Sequence, residues 1–343
     1  MIVHQVVGGA GPVDAVTNQA RAWRARFASW GWGGEDFAEV FSPDMTRGVM
    51  HPLKAYAPRP GELTLLHFSG YVPKLEHRLV APYAVLSHNV TPARYFWELE
   101  PGEAVRCALA SQQLATLASG AELAAGVSAF NAADLGVDDP VVIPILFDRG
   151  RLPAPAVQAP DGPPTILFVG RLAPHKRQDL IVRAFARYRT LHAPDARLVL
   201  VGVPISPDFD ARLRRLADDL APGAAQFANA IDAAELHDHF RSAHAFLCLS
   251  EHEGFCIPLL EAFHFGVPVV ARPIGGIGEV VGDAGMLLGS DDDLAVVAEL
   301  LHLAVTEPGL RATLRPRAEA RLAHFAADRV AEQMRARLEA IAA

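Results

Sequence analysis

Cysteine is scarce: Cys107, Cys248 and Cys256 are the only three in 343 residues. Their spacing matches neither a zinc-ligand pattern nor a disulfide framework, so no metal site is expected and a reducing compartment is. Long apolar runs are missing too. None approaches the ~18 residues of a membrane-crossing helix, and the N-terminus MIVHQVV opens on strand-like residues with no signal-peptide pattern. The expectation is a soluble, cytoplasmic chain without a transmembrane segment. Basic residues are outnumbered, 31 Lys and Arg against 39 Asp and Glu, for a net charge of −8. Duplex binding relies on a basic face, so nucleic acid is not an expected partner. No Asp-x-Asp cluster sits where it would hold Mn²⁺ or Mg²⁺, since Asp291–Asp293 only starts a distal helix.

What is present is globular. Half of the chain is apolar and a fifth charged, and its length accommodates two separately cored domains. Short apolar runs alternate with amphipathic stretches, the order of a parallel α/β sheet. In the first half, Ile2–Val7 reads as a strand and Gly8–Gly11 as a loop. Asp14 caps a helix reaching about Trp30, with Trp23, Phe27 and Trp30 as a core stripe and Arg21 and Arg24 on a solvated face. A dinucleotide fingerprint is not met, because Asp14 stands where Gly9-Ala-Gly11 needs its third glycine. Further strands are Asp36–Phe41, Leu63–His67, Tyr83–Ser87, Leu123–Val127 and Val141–Ile143. Pro43–Pro60 reads as a loop and Pro101–Ser119 as a helix. Pro144–Pro164 holds six prolines and little periodicity, a linker signature. The expected organisation is a domain over 1–147, a linker over 148–164, a second domain over 165–325 and a terminal helix over 326–343.

The most informative stretch is Ser250–Gly285. Apolar Ala245–Leu249 is a buried strand, Glu253 and Gly254 lie in the following turn, and Pro258 sits at a helix start where its missing N–H is harmless. Gly266 closes that helix, and Val267–Ala271 is the next strand. A helix N-terminus carries roughly half a positive charge and suits a phosphate. Glu253 and Glu261 would repel a phosphate but accept hydrogen bonds from sugar hydroxyls. Upstream, Arg171 and Lys176 flank a strand-to-helix turn after Thr165–Val169, a fork and a point charge able to grip two phosphates.

These residues carry a resemblance. Glu253-Gly-Phe-Cys-Ile-Pro-Leu-Leu-Glu261, with the following GVPVVARPIGGIGEVVGDAG, resembles the E-x7-E region of retaining glycosyltransferases of family 4. FVGRLAPHKRQDLIVRAF resembles that family's diphosphate-binding segment, and His88-Asn-Val-Thr-Pro-Ala-Arg-Tyr-Phe96 a segment of its first domain. The resemblance implies a GT-B fold, two Rossmann-like parallel-sheet domains facing across a cleft. It implies metal-independent, retaining transfer from a nucleoside-diphosphate sugar to a saccharide, lipid-linked or small-molecule acceptor, with no cofactor. In residues, Arg171 and Lys176 would hold the diphosphate, Glu253 with Gly254, Phe255 and Cys256 the donor sugar, and Glu261 the ribose. Gly9 and Gly11 would meet donor phosphate or acceptor, His88 would serve the reacting sugar, and His67 and Asn89 would line the acceptor side. Alternatives are a nucleotide-sugar epimerase of the same architecture and an inactive nucleotide-sugar-binding protein.

Overall fold

The structure is a computed structural model that describes residues 1–11, 14–42, 50–155, 161–229, 231–289 and 293–342. Parts of the expected 43–60 loop and of the proline-rich segment, with Asp291, lie outside the described residues. The described chain divides into two compact units, Met1–Phe147 with Phe325–Ala343, and Asp148–His324.

Unit 1 is built on seven parallel strands: β1 (Val3–Ala10), β2 (Asp36–Phe41), β3 (His51–Pro52), β4 (Leu63–Phe68), β5 (Tyr83–Ser87), β6 (Leu123–Gly126) and β7 (Val141–Val142). Their order is β3-β2-β1-β4-β5-β6-β7. Helices α1 (Ala15–Ser29), α2 (Pro101–Ser119) and α3 (Ala129–Ala133) connect them. Their starts follow from local chemistry. The Asp14 side chain accepts from the Thr17 N–H at 2.6 Å, Pro101 opens α2, and Ser128 caps α3. The helix Ala327–Ala342 also belongs to this unit. Asp328 pairs with Arg26 at 2.7 Å, and the Arg335 guanidinium sits 5.5 Å above the Trp30 ring.

Three expectations for this unit need correction. Gly8 and Gly9 are not a loop, because β1 runs through to Ala10 and Gly9 pairs with Val40. A Cβ on Gly8 would meet Val72 at 3.1 Å, so glycine there serves close packing. Arg24 is not on a solvated face. Trp23 and Phe27 are buried as a core stripe requires, and Arg24 folds back across the strands, donating to Asp36 Oδ1 at 2.6 Å and to the Val3 carbonyl at 2.8 Å. Within the expected 43–60 loop, His51–Pro52 adds an edge strand on β2, a position proline tolerates.

Unit 2 repeats the plan with six parallel strands: β8 (Thr165–Val169), β9 (Arg197–Val201), β10 (Ala225–Ala228), β11 (Ala245–Cys248), β12 (Val269–Ala271) and β13 (Met286–Leu287), in the order β10-β9-β8-β11-β12-β13. Its helices are α4 (Gln178–Leu191), α5 (Pro207–Leu220), α6 (Ala233–Ser242), α7 (Ile257–His264), α8 (Ile277–Val281), α9 (Leu294–Thr306) and α10 (Pro308–His324). The core is the two-sided apolar filling that parallel strands demand, including Ile166, Phe168, Phe185, Leu198, Leu247 and Leu301. The head of the proline-rich segment is tied to this unit. Arg149 forks onto Glu319 at 2.5 and 2.9 Å and donates to His264 at 3.0 Å.

In each sheet the strand order reverses once, between β1 and β4 and between β8 and β11. Neighbouring loops leave such a switch point in opposite directions and open a crevice at the strands' carboxyl ends. The chemistry-bearing residues of both units sit there.

Candidate functional site

At the switch point of unit 2, β8 is followed by Gly170–Arg177 and β11 by Leu249–Cys256. The two loops meet through two ion pairs, Lys176 Nζ to Glu253 Oε1 at 2.5 Å, both side chains largely buried, and Arg177 with Glu251. Ser250 Oγ donates to the same oxygen at 3.2 Å. Burial works against the Lys176 charge, but the Glu253 carboxylate overrides it and holds the ammonium above its usual range. His175 lies buried beside them. Burial first, and then the charge of Lys176 with smaller effects of His252 and Arg171, lowers its pKa to about 2, so it stays neutral. Arg171 is exposed, and its guanidinium makes no ion pair among the described residues. The loop therefore holds two neutralised cations, Lys176 and Arg177, and one available one, Arg171.

The loop Glu253–Cys256 is fixed from behind. Gly275 has φ +60, and a Cβ on it would lie 2.1 Å from the Glu253 carbonyl; on Gly276 it would lie 2.2 Å from that of Gly254. Only glycine permits this approach. Phe255 is buried in the core. Cys256 caps α7 at φ 73, ψ 73, a left-handed conformation that L residues avoid. The helix begins one residue earlier than Pro258, at Ile257, so Pro258 is its second residue. Leu259 N–H bonds back to the Cys256 carbonyl at 3.1 Å. At the other end Gly266 has φ +71, and the Val267 N–H reaches the Ala262 carbonyl at 2.8 Å, closing the helix. Glu261 lies on α7, where burial pushes its carboxyl up to about 7.

Two of the three cysteines lie close together in space. Cys248 ends β11 and Cys256 starts α7, and the fold brings their sulfurs and a Glu253 oxygen within 4.8 Å of one another. The two thiols share a hydrogen bond that eases ionisation of Cys248 and pushes that of Cys256 well up. A scan for closely spaced cysteine pairs misses them, because a strand end and the next helix start are adjacent in space but eight residues apart in sequence.

At the switch point of unit 1, His67 and His88 come together, Nδ1 to Nε2 at 2.9 Å. Behind them runs a buried polar chain. His67 Nε2 contacts Gln5 Oε1 at 2.8 Å, and Gln5 Nε2 donates to the Ala20 carbonyl at 2.9 Å and to Asp36 Oδ1 at 2.8 Å. Asp36 in turn takes the Arg24 guanidinium at 2.6 Å. The directions follow by elimination. Gln5 must aim its NH₂ at the carbonyl and the carboxylate, so its oxygen accepts and His67 Nε2 carries a proton. Burial, with the nearby charge of His88 and Arg24 adding to it, keeps His67 neutral. Its Nδ1 is then an acceptor, and His88 Nε2–H is the donor. Burial lowers the His88 pKa to about 3, so its remaining nitrogen, Nδ1, presents a lone pair. Asn89 follows at φ +120, a strained backbone of the kind found at functional positions. Sequence reading placed His67 and His88 but missed Gln5, Asp36 and Arg24; the available signal was a glutamine inside the apolar strand Val3–Val7.

Gly9 and Gly11 do not offer open donors. Gly9 is strand, and the Gly11 N–H is taken by Thr17 Oγ1 at 3.2 Å. A cavity of about 240 Å³, lined by residues including Phe240, Ala243, Phe263, Pro268 and Arg315, also lies in unit 2. It opens at the amino ends of β11 and β12, away from the Lys176–Glu253 pair.

Residues 154–321, nearly all of unit 2, match the family Glycosyl transferases group 1. A D-inositol 3-phosphate glycosyltransferase of Acidothermus cellulolyticus is 35% identical over 175 residues, 49% of this chain and 39% of that protein. A GDP-mannose-dependent alpha-mannosyltransferase of Mycolicibacterium smegmatis is 34% identical over 148 residues, 42% of this chain and 36% of its own length. The chain thus matches well under half the length of these curated relatives. Among solved structures, sucrose-phosphate synthase from Thermosynechococcus elongatus superposes with a TM-score of 0.75 at 19% identity, covering 97% of each chain. The fold is thus the GT-B kind, two parallel-sheet α/β units, and within it residues 154–321 are similar to the glycosyl transferases group 1 family.

Proposed function

We propose that this chain transfers a glycosyl group from a nucleoside-diphosphate sugar to an acceptor hydroxyl, with retention of anomeric configuration. The observation that carries the reading is the Lys176–Glu253 pair, a cation and a carboxylate meeting at the carboxyl ends of β8 and β11 inside the matched segment. Breaking a glycosidic bond builds negative charge on the departing diphosphate and positive charge on the sugar ring. Arg171 and Lys176 take the first, and α7 begins directly after the loop that holds Glu253, a preorganised term that no rearrangement need supply during the reaction. Glu253 accepts from donor-sugar hydroxyls and lies where ring charge develops. Glu261 accepts from the ribose, whose hydroxyls favour its ionised form. The protein's own cations serve the leaving group, so the transfer step calls on no divalent ion.

In unit 1 the neutral His88 offers Nδ1 to a substrate hydroxyl. Gln5, Asp36 and Arg24 position it through His67 by fixing the tautomers of both rings. The names of the relatives, an inositol-phosphate glycosyltransferase and a mannosyltransferase, support a polyol or sugar hydroxyl as acceptor. The test is incubation with UDP-, GDP- and dTDP-sugars, with and without inositol phosphates and simple glycosides. Acceptor-dependent release of nucleoside diphosphate and an NMR-retained anomer are expected. Conversion of the donor alone would instead identify an epimerase.

A further inference from the structure

We propose that Cys248, Cys256 and Glu253 form a binding site for one soft divalent cation of the zinc class, placed so that its occupation inhibits the enzyme. Three donor atoms of the right kinds lie within 4.8 Å of one another. Tetrahedral zinc takes sulfur at about 2.3 Å, which puts two sulfurs roughly 3.8 Å apart, so closing the set needs a shift of no more than about 1 Å. Two thiolates select zinc or cadmium over magnesium or calcium.

The outer shell is already in place. Glu253 Oε1 accepts from Lys176 Nζ at 2.5 Å and from Ser250 Oγ at 3.2 Å, and Oε2 has no partner among the described residues. One carboxylate oxygen is thus oriented by hydrogen bonds while the other is available to a metal, as ligating carboxylates require. Ser250 Oγ also lies 3.4 Å from Cys248 Sγ, tying that sulfur to the same network. Charge closes as well: a divalent ion and the Lys176 ammonium balance two thiolates and one carboxylate. Cys248 is fully buried and Cys256 half-buried, so the ion enters from the Cys256 side and keeps its fourth position for water. Cys256 contributes its sulfur from a left-handed conformation, and the glycines behind the loop hold it there.

Occupation would hold the Glu253 side chain, the group assigned above to the donor sugar, and fill the space beside Lys176. Inhibition therefore rests on the proposed transferase reading, whereas binding does not. The test titrates the full chain with Cd²⁺ alone under a non-thiol reductant and follows the ultraviolet thiolate-to-cadmium band. The site predicts saturation at one equivalent, displacement by Zn²⁺, loss of the band in Cys248→Ser and Cys256→Ser, and an unchanged band in Cys107→Ser. A second measurement needs no variant: with Zn²⁺ bound, mass spectrometry should find Cys256 protected from alkylation and Cys107 indifferent to the ion. No saturable band, or equal alkylation of Cys256 with and without Zn²⁺, overturns the site. Tight binding with undiminished turnover would leave the site standing and remove its inhibitory role.

Discussion

At the switch point of the first sheet, neutral Gln5, His67 and His88 are linked head to tail, anchored at one end on the Arg24–Asp36 pair. At that of the second the buried polar groups are charged and face each other, Lys176 against Glu253, with Arg171 left available. The same topology thus sets up two electrostatic tasks. A chain of neutral hydrogen bonds fixes where protons sit, so His88 presents a lone pair over the whole working pH range. A buried ion pair fixes where charge sits, so Lys176 stays a cation that desolvation alone would have weakened. Backbone strain marks both: Asn89 beside His88, Arg177 beside Lys176 and Cys256 beside Glu253 all have positive φ.

The comparison breaks most sharply at Lys176. Removing one partner of a buried pair strands the other charge, so Lys176→Ala should lower unfolding free energy by about 3 kcal/mol and abolish transfer. Urea melts read the first effect. The double variant Lys176→Met with Glu253→Leu should recover most of that stability while remaining inactive. If Lys176→Ala melts like the parent, the pair is not buried as described.

Arg171 should behave in the opposite way. Its exposed side chain packs little, so Arg171→Ala should leave stability within ~0.5 kcal/mol. It should weaken nucleoside diphosphate binding by roughly 10- to 100-fold, the loss of a charge-assisted hydrogen bond. Unchanged affinity in a calorimetric titration would remove it from the site.

In unit 1, Gln5→Leu deprives the His67 Nε2–H of its acceptor in a buried place and should cost about 1–3 kcal/mol. It should also release the histidine tautomers, visible as a change of ring-nitrogen shifts at His67 and His88 in ¹⁵N NMR. Unaltered shifts would mean the chain does not set the tautomers.

A smaller, pH-dependent effect sharpens the contrast. The Glu261 pKa is raised in the folded state to about 7, above its unfolded value. Its contribution to stability is therefore fully present below about pH 4.5 and lost as pH rises through 7. Glu261→Gln should flatten that slope and gain on the order of 2 kcal/mol at pH 8 relative to pH 5. Parallel slopes for parent and variant would contradict it.

Much of this was legible in the chain. Asp36–Phe41, Tyr83–Ser87 and Thr165–Val169 read as strands over the very residues that form them, and Pro101–Ser119 as a helix, because apolar runs and caps are local signals. Lys176 and Glu253 stood out through the turns around them. What escaped depends on distance. Arg24 reads as surface until β2 brings Asp36 to it, and Gln5 has meaning only once His67 lies on the neighbouring strand. Cys248 and Cys256 become a pair only through the turn of β11 into α7. Gly8 misled for another reason: glycine signals a loop locally, whereas here it admits Val72 against a strand.

The central claim is that unit 2 grips a nucleotide by its second phosphate. Calorimetric titration of the full chain with UDP, GDP and dTDP against the matching monophosphates tests it most directly. For the nucleotide it recognises, the account predicts a diphosphate bound at least 10-fold more tightly than its monophosphate, with Arg171→Ala closing most of that gap. Equal affinities for the two, or a gap untouched by the substitution, would contradict it.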